Sequence, residues 1–354
     1  MALHGVRKPF ATVVLVVRDA ERRIVRSLES ALNQSFGSVQ VVVSDCGSRD
    51  RTVAMCRSIA ERDIRVDVIE NGEVDYAQAF DAALEQARGD YILAMAQDDW
   101  LAPGALAALE RAVKAHDLEL AIMALSVDEP MGSGGHASHV LRFSVEPTTD
   151  AEAFRDEVPL FMNEGILGFV RGKLFERARI EGLGMRMGLL GSQTAFMAAY
   201  IEDVERVGAV ESALYHMDPR LAGIDAETYR MHERDHECML QLAAAWHREH
   251  DEALMRAIHQ LHMRQIIVSI ERVYAQHGIS SIERTERVRD IVTAPSTRET
   301  VAALGRQGRA LGFMYALIAR KNILGCCLSA RFAQLARISR LPIGRSPFDL
   351  VACV

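Results

Sequence analysis

The sequence lacks the features that identify several large classes of protein. Its formal net charge of −7 and pI of about 6.0 argue against a protein that binds bulk nucleic acid. The nearest candidate for a membrane-spanning helix, residues 310–319, is too short and has Arg309, Arg320 and Lys321 beside it. The six cysteines show no paired spacing typical of metal ligands, and the sequence shows no signal peptide. We therefore expect reduced thiols in a cytoplasmic protein.

What the sequence does contain is an ordinary globular composition, with 49% hydrophobic and 25% charged residues over a length sufficient for two domains. In the first third, apolar runs of strand length alternate with stretches that have helical periodicity. The predicted strands are residues 11–17, 39–45, 65–70, 90–96 and 118–127. This pattern indicates an α/β fold with a mostly parallel sheet and helices on both faces. We predict this domain over residues 1–218 and a mainly helical C-terminal region over residues 219–354.

Polar residues follow four of the predicted strands. The four ends are Arg18–Asp19, Asp45–Ser48, Glu70–Gly72 and Gln97–Asp99. Open α/β sheets bind ligands beyond the carboxyl ends of their strands, so we expect these ends to converge on one polar site. The adjacent carboxylates of Asp98 and Asp99 repel each other, and a basic side chain or a metal ion should offset that cost.

The end of the helical region is basic. Between Val301 and Pro347 the chain has no Asp or Glu, and its basic residues are Arg306, Arg309, Arg320, Lys321, Arg331, Arg337, Arg340 and Arg345. One interpretation is a solvated helical face. The other is a patch that makes peripheral contact with the inner face of a membrane, or with a partner such as a second copy of the chain.

Three stretches, taken in order, give the sequence a family resemblance. They are ATVVLVVRDAERRIVRSLESALNQSF, VQVVVSDCGSRDRT and DYAQAFDAALEQARGDYILAMAQDDWLAPGALAAL. Together they resemble the inverting family-two glycosyltransferases with the GT-A fold, over about residues 10–115 and more weakly over 160–216. The resemblance implies that a sugar moves from a nucleoside diphosphate donor, UDP-linked or other, to a hydroxyl of a glycan or lipid-linked acceptor. The implied role is in surface polysaccharide or other glycoconjugate biosynthesis, with the acceptor under the loop of residues 132–135.

The resemblance places the donor at the strand ends. Asp45 would accept a hydrogen bond from the nucleotide base, Gly47 would allow the tight turn, and Ser48 would lie beside them. From spacing alone, the same residues also fit a strand–turn–helix junction with a capping side chain. The other residues implied in donor binding are Val16, Arg18, Asp19, Gln78, Asp81 and Gln97.

The motif MAQDDW occupies the place of the family's acidic motif, which holds the donor diphosphate through a divalent cation. Mn²⁺ and Mg²⁺ prefer carboxylate and phosphate oxygens. The resemblance therefore assigns Asp98 to the metal and Asp99 to its support, or the reverse, with His216 as a further ligand. In the competing interpretation, Asp99 caps the next helix, Asp98 is solvated and His216 is structural.

Two departures from the family pattern concern catalysis. Ala96 replaces an acidic residue that relatives carry two places before the metal-binding Asp. Ser192 and Gln193 stand where relatives have a Glu-Asp pair, one carboxylate of which is the general base. Glu164 is the substitute candidate for that base. The departures leave open a degenerate member that binds nucleotide sugars without transferring them and acts as a partner protein.

A competing motif lies in the helical region. Residues 232–236, HERDH, match the H-E-x-x-H pattern of zinc proteases. A zinc hydrolase would need a third ligand, and none stands out in the sequence. The preferred interpretation puts His232 and His236 one turn apart on an exposed helical face.

Overall fold

The computed structural model describes residues 8–35, 38–130, 136–142, 147–148, 150–218, 226–276 and 278–338. These residues form two compact units. The first contains the chain up to Pro130, together with His136–Glu157 and Phe169–Asp218. The second contains Val158–Gly168 and the described residues after Asp218. The loop expected over the acceptor, residues 132–135, lies outside the described residues.

A nine-stranded sheet forms the centre of the first unit, with the order β3-β2-β1-β4-β8-β6-β9-β5 and β7 paired to β6. Strands β3, β2, β1 and β4 are parallel neighbours, and so are β6 and β9. The antiparallel pairs involve β5, β7 and β8. The strand bounds are Ala11–Val17 (β1), Val39–Asp45 (β2), Val66–Glu70 (β3), Tyr91–Ala96 (β4), Trp100–Leu101 (β5), Leu120–Pro130 (β6), His136–Leu141 (β7), Lys173–Glu176 (β8) and Val207–Met217 (β9).

The predicted α/β architecture is confirmed. Strands β1 and β2 have the predicted bounds, and every residue of both strands is buried. This is why they read as continuous apolar runs rather than as an alternating pattern. The short strand β5 and the strands β7 to β9 were not among the predicted runs.

Short helices connect the strands of the first unit. Helix α1 buries Ile24, Leu28 and Ala31, which lie three or four positions apart and so share one face. The helices are Ile24–Leu32 (α1), Thr52–Ala60 (α2), Tyr76–Gln86 (α3), Ala105–His116 (α4), Ala151–Asn163 (α5), Arg177–Gly182 (α6), Met187–Leu190 (α7) and Gln193–Ile201 (α8). Helix α5 begins in the first unit and ends in the second.

The second unit is helical, as predicted. Its core includes Met263, Ile266 and Ile270 of the long helix α10, packed with Val288 and Cys326. Within the described ranges, no helix is both long enough and apolar enough to cross a membrane. The helices are Ala226–Ala245 (α9), Glu252–Ala275 (α10), Ser281–Thr293 (α11), Pro295–Leu304 (α12), Phe313–Ala319 (α13) and Ile323–Ile338 (α14).

The HERDH histidines lie on α9, but the expectation that they are exposed is wrong. His232 is 8% exposed and His236 is 5% exposed. Their ring nitrogens have separate partners, because His232 Nδ1 lies 3.0 Å from Ser269 Oγ and His236 Nε2 lies 3.2 Å from His259 Nδ1. No group of three His, Cys, Asp or Glu side chains in the described part of the chain could hold a metal ion. The geometry therefore does not support a zinc hydrolase.

Three buried histidines and the partly buried His259 form a cluster on α9 and α10, which we call the histidine cluster: His232, His236, His259 and His262. The His236 and His262 rings stack with their centres 3.9 Å apart, and His262 Nδ1 lies 2.7 Å from Thr300 Oγ1. Burial lowers the pKa of His232 and of His236 to about 4. Burial and the neighbouring histidines lower the pKa of His262 to about 2. These side chains are therefore neutral at pH 7.

Candidate functional site

The loops that follow the first four parallel strands meet at one edge of the sheet. The backbone N–H of Arg18 donates to Gln97 Oε1 at 2.7 Å and thereby joins the loops after β1 and β4. The N–H of Asp19 donates to Ser48 Oγ at 3.0 Å and joins the loops after β1 and β2. The N–H of Asn71 donates to the Asp45 carbonyl at 3.2 Å and adds the end of β3. The expected convergence of the strand ends is thus present in the structure.

Asp45 shapes the turn after β2. Its carboxylate is 3% exposed, and Oδ2 accepts hydrogen bonds from the N–H of Gly47 at 2.9 Å and of Ser48 at 3.0 Å. Gly47 has φ +84°, and a Cβ there would lie 3.0 Å from the Gly72 carbonyl oxygen. Asp50 precedes Arg51, the N-cap of α2, and its Oδ1 accepts from Thr52 N–H at 2.9 Å. The contact of Asp45 with a nucleotide base stays a prediction.

Substitution of Gly47 should disturb this loop more than substitution of Gly72. Both glycines have positive φ, but a Cβ at Gly72 meets no atom within 4 Å. Gly72→Ala therefore adds backbone strain alone, at a cost of about 1 kcal/mol. Gly47→Ala adds a close contact as well, and we expect it to lower the free energy of unfolding by about 2–3 kcal/mol. Urea unfolding of the two variants measures the difference, and equal losses would show that the contact with Gly72 relaxes freely.

The residues after β1 are held by backbone contacts, with one charged side chain left in solvent. Val16 is buried inside β1, and Asp19 has φ +48° with Oδ1 accepting from Arg49 N–H at 2.8 Å. Arg18 has a side chain that is 50% exposed, and its guanidinium lies 3.6 Å from Glu73. Arg18 and Asp19 are thus the exposed residues among those predicted to bind the donor in this loop.

Gln78 and Asp81 act as helix caps. Gln78 and Asp75 form a reciprocal capping box at the start of α3. The carboxylate of Asp81 accepts from the N–H of Met187 at 2.7 Å and of Gly188 at 2.8 Å, where α7 begins. Both side chains thus have hydrogen-bond partners within the protein, and their roles in donor binding stay predictions.

Each carboxylate of the Asp pair has its own arginine. Asp98 is 20% exposed and its Oδ1 lies 2.8 Å from Arg23 Nε. The same guanidinium lies 3.8 Å from Asp218, so two carboxylates approach one cation. Arg26 Nη2 donates to the Asp98 carbonyl at 2.9 Å, and its guanidinium lies 3.9 Å above the centre of the Trp100 ring. Two arginines therefore lie beside Asp98, the partly exposed member of the pair.

Asp99 is fully buried and belongs to the framework of the site. Its Oδ2 accepts from Arg171 Nη1 at 2.9 Å and from Tyr215 Oη at 2.7 Å, and its Oδ1 accepts from Asp218 N–H at 3.0 Å. Burial raises the pKa of Asp99, and the Arg171 charge acts in the opposite direction. The interpretation of Asp99 as a helix cap is wrong, because the N-cap of α4 is Gly104 and no side chain caps the helix.

His216 is paired with a carboxylate of the neighbouring strand. Its Nδ1 lies 2.8 Å from Asp128 Oδ2, and its ring stacks on Trp100 with the centres 4.6 Å apart. Burial acts to raise the pKa of Asp128, but hydrogen bonds from Ser138, Ser126 and His216 lower it overall. Asp128 is thus a carboxylate that fixes one ring nitrogen of His216 and orients the other.

A divalent cation beside Asp98 stays a prediction, and the carboxylates that could contribute oxygens to it are those of Asp98 and Asp218. No set of three protein ligands exists among the described residues. However, Asp98 and Asp218 both reach the position of the Arg23 guanidinium. Mg²⁺ typically binds one or two carboxylates together with substrate phosphates and water.

The residues at the family's usual base position cannot ionise. Ser192 caps α8, with Oγ accepting from Ala195 N–H at 3.0 Å. Gln193 begins the same helix, and its Oε1 accepts from Val170 N–H at 3.2 Å. Glu164, the predicted substitute, follows α5 and lies in the second unit. Its role as the base therefore stays a prediction.

Sequence reasoning missed the arginines that neutralise the Asp pair. Arg171 and Lys173 interrupt a segment that is otherwise apolar, and this was the available signal. Lys173 is fully buried and hydrogen-bonded to the Phe169 carbonyl at 2.6 Å, so burial and then Arg171 lower its pKa well below the usual range. Arg171 is therefore the residue that supplies positive charge opposite Asp99.

Comparison with known proteins identifies the family. The profile of "Glycosyl transferase family 2" matches residues 12–176, which contain the four converging loops and the Asp pair. This region of the chain belongs to glycosyl transferase family 2. Glycosyltransferase GlyA of Streptococcus pneumoniae is 24% identical over 51% of this chain and 26% of its own length. Succinoglycan biosynthesis protein ExoO of Rhizobium meliloti is 28% identical over 50% of this chain and 51% of its own length.

Solved structures extend the likeness of fold to the helical region. The crystal structure of S. aureus TarS in complex with UDP-GlcNAc aligns with a TM-score of 0.61 over 92% of each chain, at 13% identity. The crystal structure of TarS with UDP aligns with a TM-score of 0.56 at 14% identity. The chain therefore shares the GT-A fold and the helical C-terminal region of these structures. It spans about a quarter to half of the length of GlyA and ExoO.

Proposed function

We propose that the protein transfers a sugar from a nucleoside diphosphate donor to a hydroxyl of a glycan or lipid-linked acceptor, with inversion at the anomeric carbon. The observation that carries the proposal is the partly exposed carboxylate of Asp98, set beside Arg23 and Arg26 where the loops after β1 to β4 meet. Family membership of this region and the UDP-GlcNAc bound to TarS support a nucleotide sugar as the donor. The family relatives support a role in polysaccharide or glycoconjugate biosynthesis.

In this proposal, the arginines of the site bind the diphosphate of the donor. Arg23, Arg26 and the half-exposed Arg18 surround the loops, and guanidinium groups bind phosphate oxygens in pairs. A negative leaving group that forms beside them is stabilised by charge that is already in place. Mn²⁺ or Mg²⁺, held by Asp98 and Asp218, would add Lewis-acid stabilisation of the departing diphosphate. Asp99 would support this arrangement by fixing Arg171, Tyr215 and the backbone of Asp218.

Transfer with inversion also needs a group that accepts the proton of the attacking hydroxyl. Two groups have suitable chemistry. Glu164, the substitute candidate from the sequence, is a carboxylate in the second unit. The second group is His216 in the first unit, whose Nδ1 is hydrogen-bonded to the Asp128 carboxylate. This hydrogen bond leaves Nε2 as the nitrogen that accepts a proton. Glu164→Gln and His216→Gln separate the two, since only the variant of the true base loses turnover while it keeps donor binding.

A panel of nucleoside diphosphates tests the donor site. We expect one nucleotide to bind in the presence of Mn²⁺, and Asp98→Ala to weaken that binding at least tenfold, because the variant removes a ligand of the metal. Titration calorimetry on the full chain measures both. Asp203→Ala is the matched control, because it removes a carboxylate whose side chain is 66% exposed. Failure of every nucleotide to bind would end the transferase proposal.

A binding protein without turnover is the second candidate function. The observation that favours it is the replacement of the usual carboxylate pair by Ser192 and Gln193 at the start of α8. Such a protein would bind the same nucleotide with the same dependence on Asp98. It would release no nucleoside diphosphate from a donor sugar in the presence of any acceptor pool, whereas an enzyme would.

A further inference from the structure

One face of α14 is apolar and exposed. Four large side chains on this helix are between 54% and 72% exposed, and we call them the α14 stripe: Leu324, Leu328, Phe332 and Leu335. Their spacing of four, four and three residues places them on one side of the helix. The other side buries Cys326, Cys327 and Ala330 in the core of the second unit. The helix is therefore docked on its own unit, and the stripe faces away from it.

Basic side chains border the α14 stripe. Arg331 lies one turn beyond Leu328 on the same side of the helix, and Arg320 and Lys321 immediately precede the helix. All three side chains are exposed. The sequence has no Asp or Glu between Val301 and Pro347, so no carboxylate of this segment neutralises them. The chain as a whole carries a net charge of −7, which makes this concentration of positive charge local.

The groove beside the stripe has the same mixed chemistry. Leu324, Leu328 and Arg331 line a cavity of about 510 Å³ together with Arg284 of α11. The guanidinium of Arg284 lies 5.9 Å from the centre of the Tyr274 ring, which also lines the cavity. Leucine side chains beside guanidinium groups suit a ligand with acyl chains and a phosphate headgroup.

We propose that the second unit docks peripherally on an anionic lipid surface, with the α14 stripe among the acyl chains and Arg320, Lys321 and Arg331 on the lipid phosphates. The positive charge beside the α14 stripe favours a lipid surface over a second copy of the chain as its partner. A symmetric pair of copies would place the same basic residues of both copies against each other, and like charges repel. An anionic membrane buries the same apolar side chains while it attracts the cations. The inference is independent of the sugar-transfer reaction.

Vesicle partitioning of the full chain tests the proposal. The probes are phosphatidylcholine vesicles with and without phosphatidylglycerol, at low and high salt. We expect binding to the phosphatidylglycerol vesicles that salt weakens, because salt screens the attraction to the headgroups. Phe332→Ser should weaken partitioning about tenfold or more, since a large apolar side chain no longer enters the lipid. Ile64→Ser is the matched control, because Ile64 is 91% exposed in the first unit, and it should leave partitioning unchanged.

The charge variant Arg320→Gln/Lys321→Gln should weaken binding about fivefold for each charge removed, while circular dichroism stays unchanged. Wild type and Phe332→Ser together distinguish a lipid surface from a second copy of the chain as the partner of the α14 stripe. A wild-type dimer that Phe332→Ser converts to a monomer, without vesicle binding, would overturn the proposal in favour of self-association. Equal partitioning of Phe332→Ser and Ile64→Ser, or binding that ignores phosphatidylglycerol, would also overturn it.

Discussion

Arg171→Met should lower the free energy of unfolding of the protein by about 3–5 kcal/mol, because it leaves the Asp99 carboxylate buried without its cation. Asp99 is 0% exposed and Arg171 is 7% exposed, so water cannot replace the lost partner. Tyr215 and the backbone of Asp218 still donate to the carboxylate, but neither carries charge. A typical domain has only about 5–15 kcal/mol of stability, so the loss is a large share of it. Urea unfolding followed by circular dichroism measures the effect.

Two further variants show whether burial of charge is the cause. Arg23→Met removes the partner of Asp98, whose side chain is 20% exposed, and should cost about 1 kcal/mol because water solvates the carboxylate. Asp99→Asn, added to Arg171→Met, removes the buried charge and should recover part of the lost stability. If Arg171→Met costs no more than Arg23→Met, the Asp99 carboxylate does not depend on Arg171.

Asp98 and Asp99 also show which features of the site could be predicted from the sequence. Adjacent carboxylates at the end of an apolar strand predict a cationic partner, and the structure supplies two arginines. Arg23 lies in the part of the chain where the family resemblance is strong, but Arg171 is 72 residues from Asp99 in sequence. The pairing of β8 with β4 and β6 brings that part of the chain to the site. Long-range pairing of this kind leaves no periodic signal in one sequence.

Strands and helices differed in how well the sequence predicted them. Strands β1 and β2 are buried on both faces, so their apolar runs marked their bounds to the residue. Strand β9 has an irregular register between Met123 and Ala124 of its partner, and its polar residues broke the run. On α9, the polar letters of HERDH predicted an exposed face, but His232 and His236 are buried against α10. Histidine occurs both on exposed faces and in buried positions, so the composition of this segment could not show which face of α9 is buried.

Acidification should destabilise the second unit through the histidine cluster before it titrates most carboxylates. The folded-state pKa is about 4 for His232 and His236, and about 2 for His262, against an ordinary value of 6.5. Each pKa is lowered on folding, so the unfolded chain binds protons first. The stability is therefore fully present above pH 6.5, and each histidine removes about 1.4 kcal/mol per pH unit as the pH falls toward its folded pKa.

The charged groups near the histidine cluster are consistent with pKa values that are lowered on folding. Burial is the largest cause of the lowered pKa values, and Arg272 adds to it at His232. At His259, Glu299 acts in the opposite direction, but burial still lowers the pKa of that ring. In the first unit, the pKa values of Asp50 and Asp63 are lowered on folding. The stability that these carboxylates contribute is therefore lost at a lower pH than the stability that the histidines contribute.

Fluorescence of Trp246 reports the second unit, because Trp100→Phe removes the other tryptophan of the chain. In that background we expect the free energy of unfolding by urea to fall steadily between pH 6.5 and about 4. His236→Gln removes one titrating ring and should make this fall less steep by about 1.4 kcal/mol per pH unit. His250→Gln is the matched control, because His250 is exposed and lies outside the cluster, and its curve should follow that of the background. Coincident curves for His236→Gln and His250→Gln would mean that the cluster is already charged in the folded protein, or solvated, and that acid sensitivity arises elsewhere.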